Sequence, residues 1–407
     1  MLKRNATLLL LGLTLLLAAC GGSGNGSGAG GEANQGGAPK EAGYLDWPLF
    51  GRVPERTQYL PARGRALDPP LKEAWNVSTH GLIEFPPAIA NGVAYVINKY
   101  GNGKAVRLRD RKVLWELQIR KRNHGKPSFV TAPVYYDGRV YGAFLGGTLV
   151  AADAANGKEE WHRELHAHLE SSPVAVNGAL YLGTDSKGVI AVNAADGKVL
   201  WRFDAPAAIK ASPSFHAGRL FVADYQSAVF ALDAKTGRPL WRTNTSRVPP
   251  FGEGGFFSSP AIAFGRVYAA RDDGTVYAFD ERTGKVDWHF DSGGAVYGSP
   301  AVARVPGTPP TVYIGSEDGR FFALDARTGK PRWIYRLGGP VPGTAVVIGH
   351  TVYTSSFKTM ETTGIDARSG KRTFQIHQAG YTPMVSDGRR LYLVGYFSLI
   401  GLEPTGR

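Results

Sequence analysis

The chain has 407 residues, 43% of them hydrophobic, and its 47 Lys and Arg against 34 Asp and Glu give a formal net charge of +13. Its single cysteine excludes an intramolecular disulfide, and 407 residues exceed the ordinary size of one domain unless the sequence repeats internally. The basic balance favours anionic partners such as lipid headgroups, wall polymers or acidic proteins.

The first nineteen residues carry Lys3 and Arg4, an apolar run from Leu8 to Leu17, and then Ala18 and Ala19, the pattern of a signal peptide. The run is too short to span a hydrocarbon core, which needs roughly 20 apolar residues. Leu17-Ala18-Ala19-Cys20 resembles the lipobox of bacterial lipoproteins, which implies that Cys20 is acylated after cleavage. Export makes nucleic acid an unsuitable partner. No aspartate follows Cys20, so the resemblance implies an outer membrane facing the periplasm in a cell with two membranes, and otherwise the outer face of the cell membrane. Residues 20–43 are read as the lipidated cysteine and a Gly/Ser-rich tether, with a root-mean-square reach of roughly 25 Å. Residues 44–70 are read as an N-terminal extension, and 71–407 as the folded domain.

From there the sequence repeats. Trp75, Trp115, Trp161, Trp201, Trp241, Trp288, Trp333 and Phe374 recur every 40 to 47 residues. Most follow one phrase, such as Ala231-Leu232-Asp233-Ala234-Lys235-Thr236-Gly237 before Trp241. Each unit opens on a small-Pro pair, as in Ser172-Pro173, Ser212-Pro213, Ser259-Pro260 and Ser299-Pro300, and continues as period-two alternation broken by glycine turns. Four short antiparallel strands per ~40 residues make one propeller blade, so the fold class is all-β, a single eight-bladed β-propeller of four-stranded blades. The last unit ends before any aromatic strand, whereas Trp75 precedes the first full unit. Leu71 to Val77 is therefore expected to complete the blade begun by Thr382 to Glu403 and close the ring.

These phrases resemble the tryptophan-docking repeats of the PQQ-like (quinoprotein-type) β-propeller superfamily, which implies that the aromatic ladder is structural, each ring packing on the next blade. Two branches bear on function. The lipoprotein B subunit of the outer-membrane β-barrel assembly machinery shares the signal, lipobox, tether and blade count. The quinoprotein alcohol and glucose dehydrogenases share the opening Asp46-Trp47-Pro48-Leu49-Phe50-Gly51-Arg52 through Tyr59. Many of the alcohol-oxidising members hold pyrroloquinoline quinone (PQQ) against adjacent cysteines, absent here, and bind Ca²⁺, for which no local cluster of oxygen ligands stands out. The chain is accordingly expected to be a protein-binding scaffold and not an enzyme, with no cofactor, no metal and no catalytic residue. A PQQ-dependent dehydrogenase and a ligand- or wall-binding propeller are the alternatives.

Three other constellations stand out. His162, Glu164, His166, His168 and Glu170 are dense enough to suggest a metal but are read as a polar loop. Arg120, Lys121, Arg122 and Lys126 form a basic run in one long connection, and Phe251, Phe256 and Phe257 lie in another. Aromatics on a Pro/Gly-rich loop have little core to enter, so the two loops are expected to flank one partner surface. The anchor is directly testable: metabolic labelling with a fatty acid should mark the wild-type chain and leave Cys20→Ser unlabelled.

Overall fold

The computed structural model describes residues 45–61, 66–118, 131–186, 188–248, 252–378, 384–395 and 397–405. The strands form eight sheets in chain order, each of four antiparallel strands, with the short strand Tyr59–Leu60 added in parallel to the inner edge of the seventh. Blade 1 steps outward from Ala88–Ala90 through Val93–Ile97 and Asn102–Arg107 to Val113–Gln118. Blades 2 to 7 repeat this over 134–164, 174–204, 214–244, 261–291, 301–336 and 346–376. Blade 8 has Met384–Ser386, Leu391–Gly395 and Ser398–Pro404, and its outer strand is Leu71–Ser78. Trp75 stands opposite Gly401 and Leu71 opposite Pro404, so the ring closes with the expected strand. Cys20 and the basic run from Arg120 to Lys126 lie outside the described residues.

The strand register explains the repeated phrase. Each outer-strand aromatic faces a small residue on the third strand: Ala opposite Trp115, Trp161, Trp201, Trp241, Trp288 and Trp333, and Gly opposite Phe374 and Trp75. The same small residue faces an aromatic on the second strand, as in Tyr181, Ala191 and Trp201. The two rings close over it with centroids 5.7 to 6.1 Å apart in all eight blades. A larger central residue would separate the rings, and tilted aromatic pairs at this spacing add about 0.5–1.5 kcal/mol to the area they bury.

Six of the tryptophans then reach the neighbouring blade, whereas the buried Trp75 Nε1 has no partner. The Trp201 Nε1 donates to Ala234 O at 3.1 Å, and Trp115, Trp161, Trp241, Trp288 and Trp333 make the equivalent bond to the next blade's outer turn. The turn's glycine lies under the indole. At Gly237 φ is +73°, and a Cβ there would stand 2.6 Å from the Trp201 ring. The turn itself is held by its aspartate, since Asp233 Oδ1 accepts from the Thr236 N–H at 2.8 Å and its hydroxyl at 2.7 Å. The ladder fails at the seam, where two chain ends replace the outer turn of blade 8. Blade 7 accordingly carries Phe374, which has no N–H to satisfy.

Two further devices join the blades. The hydroxyl of each small-Pro pair accepts the backbone N–H of its counterpart one blade earlier: Ala132 to Ser172, Ser172 to Ser212, Ser212 to Ser259, Ser259 to Ser299 and Ser299 to Thr344, all at 2.9 to 3.1 Å. Segment 45–60 lies along the inner edges and makes backbone bonds to the inner strands of six of the eight blades. Trp47 pairs with Ile89, and the carbonyls of Pro48, Pro54, Glu55, Thr57 and Gln58 accept from Tyr135, Phe215, Ile262, Val302 and Val347. Arg56 is fully buried and donates to the carbonyls of Phe50, Ser172, Pro173 and Pro213, joining blades 3 and 4. Burial lowers its guanidinium to about 9, so it stays charged at neutral pH.

The docking geometry predicts a contrast between two glycines of similar φ. Gly237→Ala meets the Trp201 ring, whereas Gly218, at φ +78°, has nothing within 4 Å of an added Cβ. Chemical denaturation should show Gly218→Ala losing roughly 1 kcal/mol from backbone strain and Gly237→Ala losing about 2–4 kcal/mol.

Candidate functional site

Antiparallel order places the turns between second and third strands on one face with the connections from each outer strand to the next inner strand. At each corner the first is pinned to the second. Asp185 N donates to His168 O at 3.1 Å, Tyr225 N to Ala208 O at 3.0 Å, Asp272 N to Gly255 O at 2.9 Å, and Glu317 N to Ala295 O at 2.9 Å. This loop face therefore presents side chains on a rigid frame, which suits recognition.

The connection from blade 4 to blade 5 shows how a Pro/Gly-rich loop is ordered. Ser227 Oγ donates to Gly254 O and accepts from Gly254 N, while Gly255 N donates to Asp272 Oδ1 at 2.9 Å. Arg271, fully buried, pairs with Asp273 and donates to Gly252 O at 2.8 Å and to the Thr245 hydroxyl at 3.2 Å. Burial tends to lower its pKa, but Asp273 and neighbouring charges hold it above the usual arginine value. Neither Arg271 nor Arg56 is among the site residues expected from sequence. Their one visible sign is an arginine inside an otherwise apolar or turn-forming phrase.

This ordering splits the phenylalanines. Phe256 is 0% exposed, its N–H donates to Asp224 O, and its ring packs 6.2 Å from that of Tyr277 within a core shared by blades 4 and 5. It is a core residue, which corrects the expectation that it faces a partner. In the extended segment adjacent side chains point opposite ways, and Phe257 is 40% exposed. Its ring lies 4.4 Å from Tyr225 and 5.3 Å from Tyr297, itself 42% exposed. Phe251 lies outside the described residues, as do Arg120, Lys121, Arg122 and Lys126, so the described surface is an aromatic shelf of blades 4 to 6.

Carboxylates border the shelf. Lys210 Nζ is 3.1 Å from Glu170 and 3.4 Å from Asp185, and stands 5.2 Å over the Tyr225 ring. Burial, then the charges of Glu170, Asp185 and Asp272, pushes the Tyr225 hydroxyl above its ordinary pKa, and that hydroxyl has no hydrogen-bond partner. Burial also raises Asp224, Asp272 and Glu317. The His/Glu set disperses: His162 meets Glu159 at 2.9 Å, Glu164 accepts from the Thr148 hydroxyl, and Glu170 holds Lys210. Among the described residues no three His, Cys, Asp or Glu side chains group as metal ligands.

Closed rings of eight four-stranded blades with this docking ladder define the PQQ-like propeller class. The model of one family of that class, described as outer membrane protein assembly factor BamB, matches residues 104–214 and 185–398, and the chain belongs to that family. No protein of curated function matches the sequence significantly. Among solved structures, BamB from Moraxella catarrhalis matches with a TM-score of 0.66 and 16% identity over 83% of this chain and 99% of its own. The quinohemoprotein alcohol dehydrogenase from Comamonas testosteroni matches with a TM-score of 0.73 and 16% identity over 89% and 81%. A second quinohemoprotein alcohol dehydrogenase, from Pseudomonas putida HK5, matches with 0.72 and 15% over 89% and 80%.

The expectation that the chain is not an enzyme is corrected by these matches, since dehydrogenases superpose on the propeller with higher TM-scores than BamB. What they share is the fold. An anionic group in the sector of blades 3 to 5 would meet Glu170, Asp185 and Asp272, where Lys210 and Arg271 are already paired. That sector does not fit an anionic cofactor.

The two phenylalanines should separate in solution. Phe256→Ala is expected to cost about 3–5 kcal/mol in denaturant unfolding, as for a fully buried ring, whereas Phe257→Ala should stay within about 1 kcal/mol of wild type.

Proposed function

We propose that the chain is a lipid-anchored extracytoplasmic docking propeller, of the assembly-factor kind that its family model describes, which meets a polypeptide partner on its loop face. The observation that carries this reading is the pair Phe257 and Tyr297, two large aromatics left 40% and 42% exposed side by side on a backbone pinned by hydrogen bonds. Rigid aromatics at the centre of a polar surround are the side chains that supply most of the affinity in protein interfaces. Family membership supports the reading, and so do the signal pattern and Cys20, which would hold the propeller at a membrane surface.

A second reading, a quinoprotein-type oxidoreductase, is favoured by the TM-scores of 0.73 and 0.72 to alcohol dehydrogenases. Its site would have to lie away from the shelf of blades 4 to 6.

One pair of measurements decides between them. A photo-crosslinking amino acid placed at Tyr297 in living cells should yield a covalent adduct with a component of the barrel-assembly machinery. Adducts with lipid alone would defeat the docking reading. Dye-linked alcohol oxidation by the purified chain with PQQ and Ca²⁺, lost when the quinone is removed, would establish the oxidoreductase.

A further inference from the structure

The described shelf runs against the charge of the whole molecule. The chain is basic, at +13, yet among the described residues Glu170, Asp185 and Asp272 border the shelf, where Lys210 is already paired with Glu170 and Asp185, and Arg271 with Asp273. Gly255 marks how close the acid and aromatic parts are. A Cβ built on it would lie 3.4 Å from Asp272 Oδ2 and 3.5 Å from both the Phe257 and Tyr225 rings. The shelf already holds one cation, the Lys210 ammonium over Tyr225. A ring face bordered by carboxylates attracts a cation twice, through the quadrupole and through direct charge. Phe257 and Tyr297 meet edge to face at 87°, which leaves ring surface turned to solvent.

We infer that this shelf takes an arginine- or lysine-bearing extended segment of the partner polypeptide, with the cation seated between Phe257, Tyr297 and the Asp272 carboxylate. The inference rests on the docking reading above and adds the chemistry of the partner. Aromatic contact gives affinity that salt does not screen, and the carboxylates give steering that it does. The shelf disfavours an acidic segment, although the net charge of the whole chain would favour one.

The test uses the mature chain and two fluorescent twelve-residue peptides, alternating Arg with Tyr or Glu with Tyr, followed by anisotropy at two salt concentrations. The Arg peptide should bind at least about tenfold more tightly than the Glu peptide. Phe257→Ala should weaken it roughly tenfold at either salt, and Asp272→Asn, which keeps an oxygen for the Gly255 N–H, about threefold with a reduced salt dependence. Tyr100→Ala, an exposed aromatic on the blade 1 turn, should change nothing. Glu170→Gln provides a second charge variant should Asp272→Asn unfold, which melting curves will reveal. Equal binding of the two peptides, preference for the Glu peptide, or Arg-peptide binding indifferent to every shelf substitution would overturn the inference. Such a failure alongside a successful Tyr297 crosslink removes only the partner chemistry, whereas failure of the crosslink removes the docking reading itself.

Discussion

In six of the eight blades the outer-strand tryptophan places its indole N–H on the neighbouring blade, and much of the fold is arranged around that contact. The carbonyl that accepts it sits in the neighbouring blade, so six of the eight aromatics tie one blade to the next. The glycine of the turn is there because the indole covers it, and the alanine on the third strand because a second aromatic must close over it. In three blades the second-strand tyrosine also donates to the carbonyl that accepts the tryptophan, as Tyr141 does at Ala194 O, Tyr268 at Ala326 O and Tyr313 at Ala367 O. Where the hairpin is missing, at the seam between blades 7 and 8, the tryptophan is missing too.

The repeat was legible because this constraint writes itself into every unit at fixed spacing. Blade number, strand order and the closing role of Leu71–Ser78 all followed from counting aromatics and small-Pro pairs. Interactions between units left weaker marks. The serine of each small-Pro pair reads as a strand opener, and only the assembled ring shows its hydroxyl bonded to the blade before. Arg56 and Arg271 look like surface arginines because nothing local announces the carbonyls that surround them. Phe256 and Phe257 illustrate the limit at single-residue scale: alternation says that one points inward and one outward, and which is which depends on Asp224 and Tyr277 in other parts of the chain.

Function separates from fold in the loops. The propeller fold is one that an assembly factor and alcohol dehydrogenases share with this chain at 16% identity or less. The frame fixes where loops emerge and leaves their chemistry open. In this chain the connection between blades 4 and 5 is locked by a buried arginine, so its exposed aromatic is held in place before any partner arrives, and little ordering entropy remains to be lost on contact.

Closure by the chain's two ends also sets an order of events for a protein that emerges N-terminus first. Thr405 donates to Pro70 O across 335 residues of sequence. The strand Leu71–Ser78 is therefore among the first segments of the propeller to be synthesised and among the last to find its partner. Until Ser398–Pro404 follows, that strand presents an unpaired edge to a crowded compartment. Segment 45–60 is likewise out early and must wait for the inner strands that will flank it. Folding of this propeller thus depends on holding its leading edge apart from other chains while the remaining blades arrive.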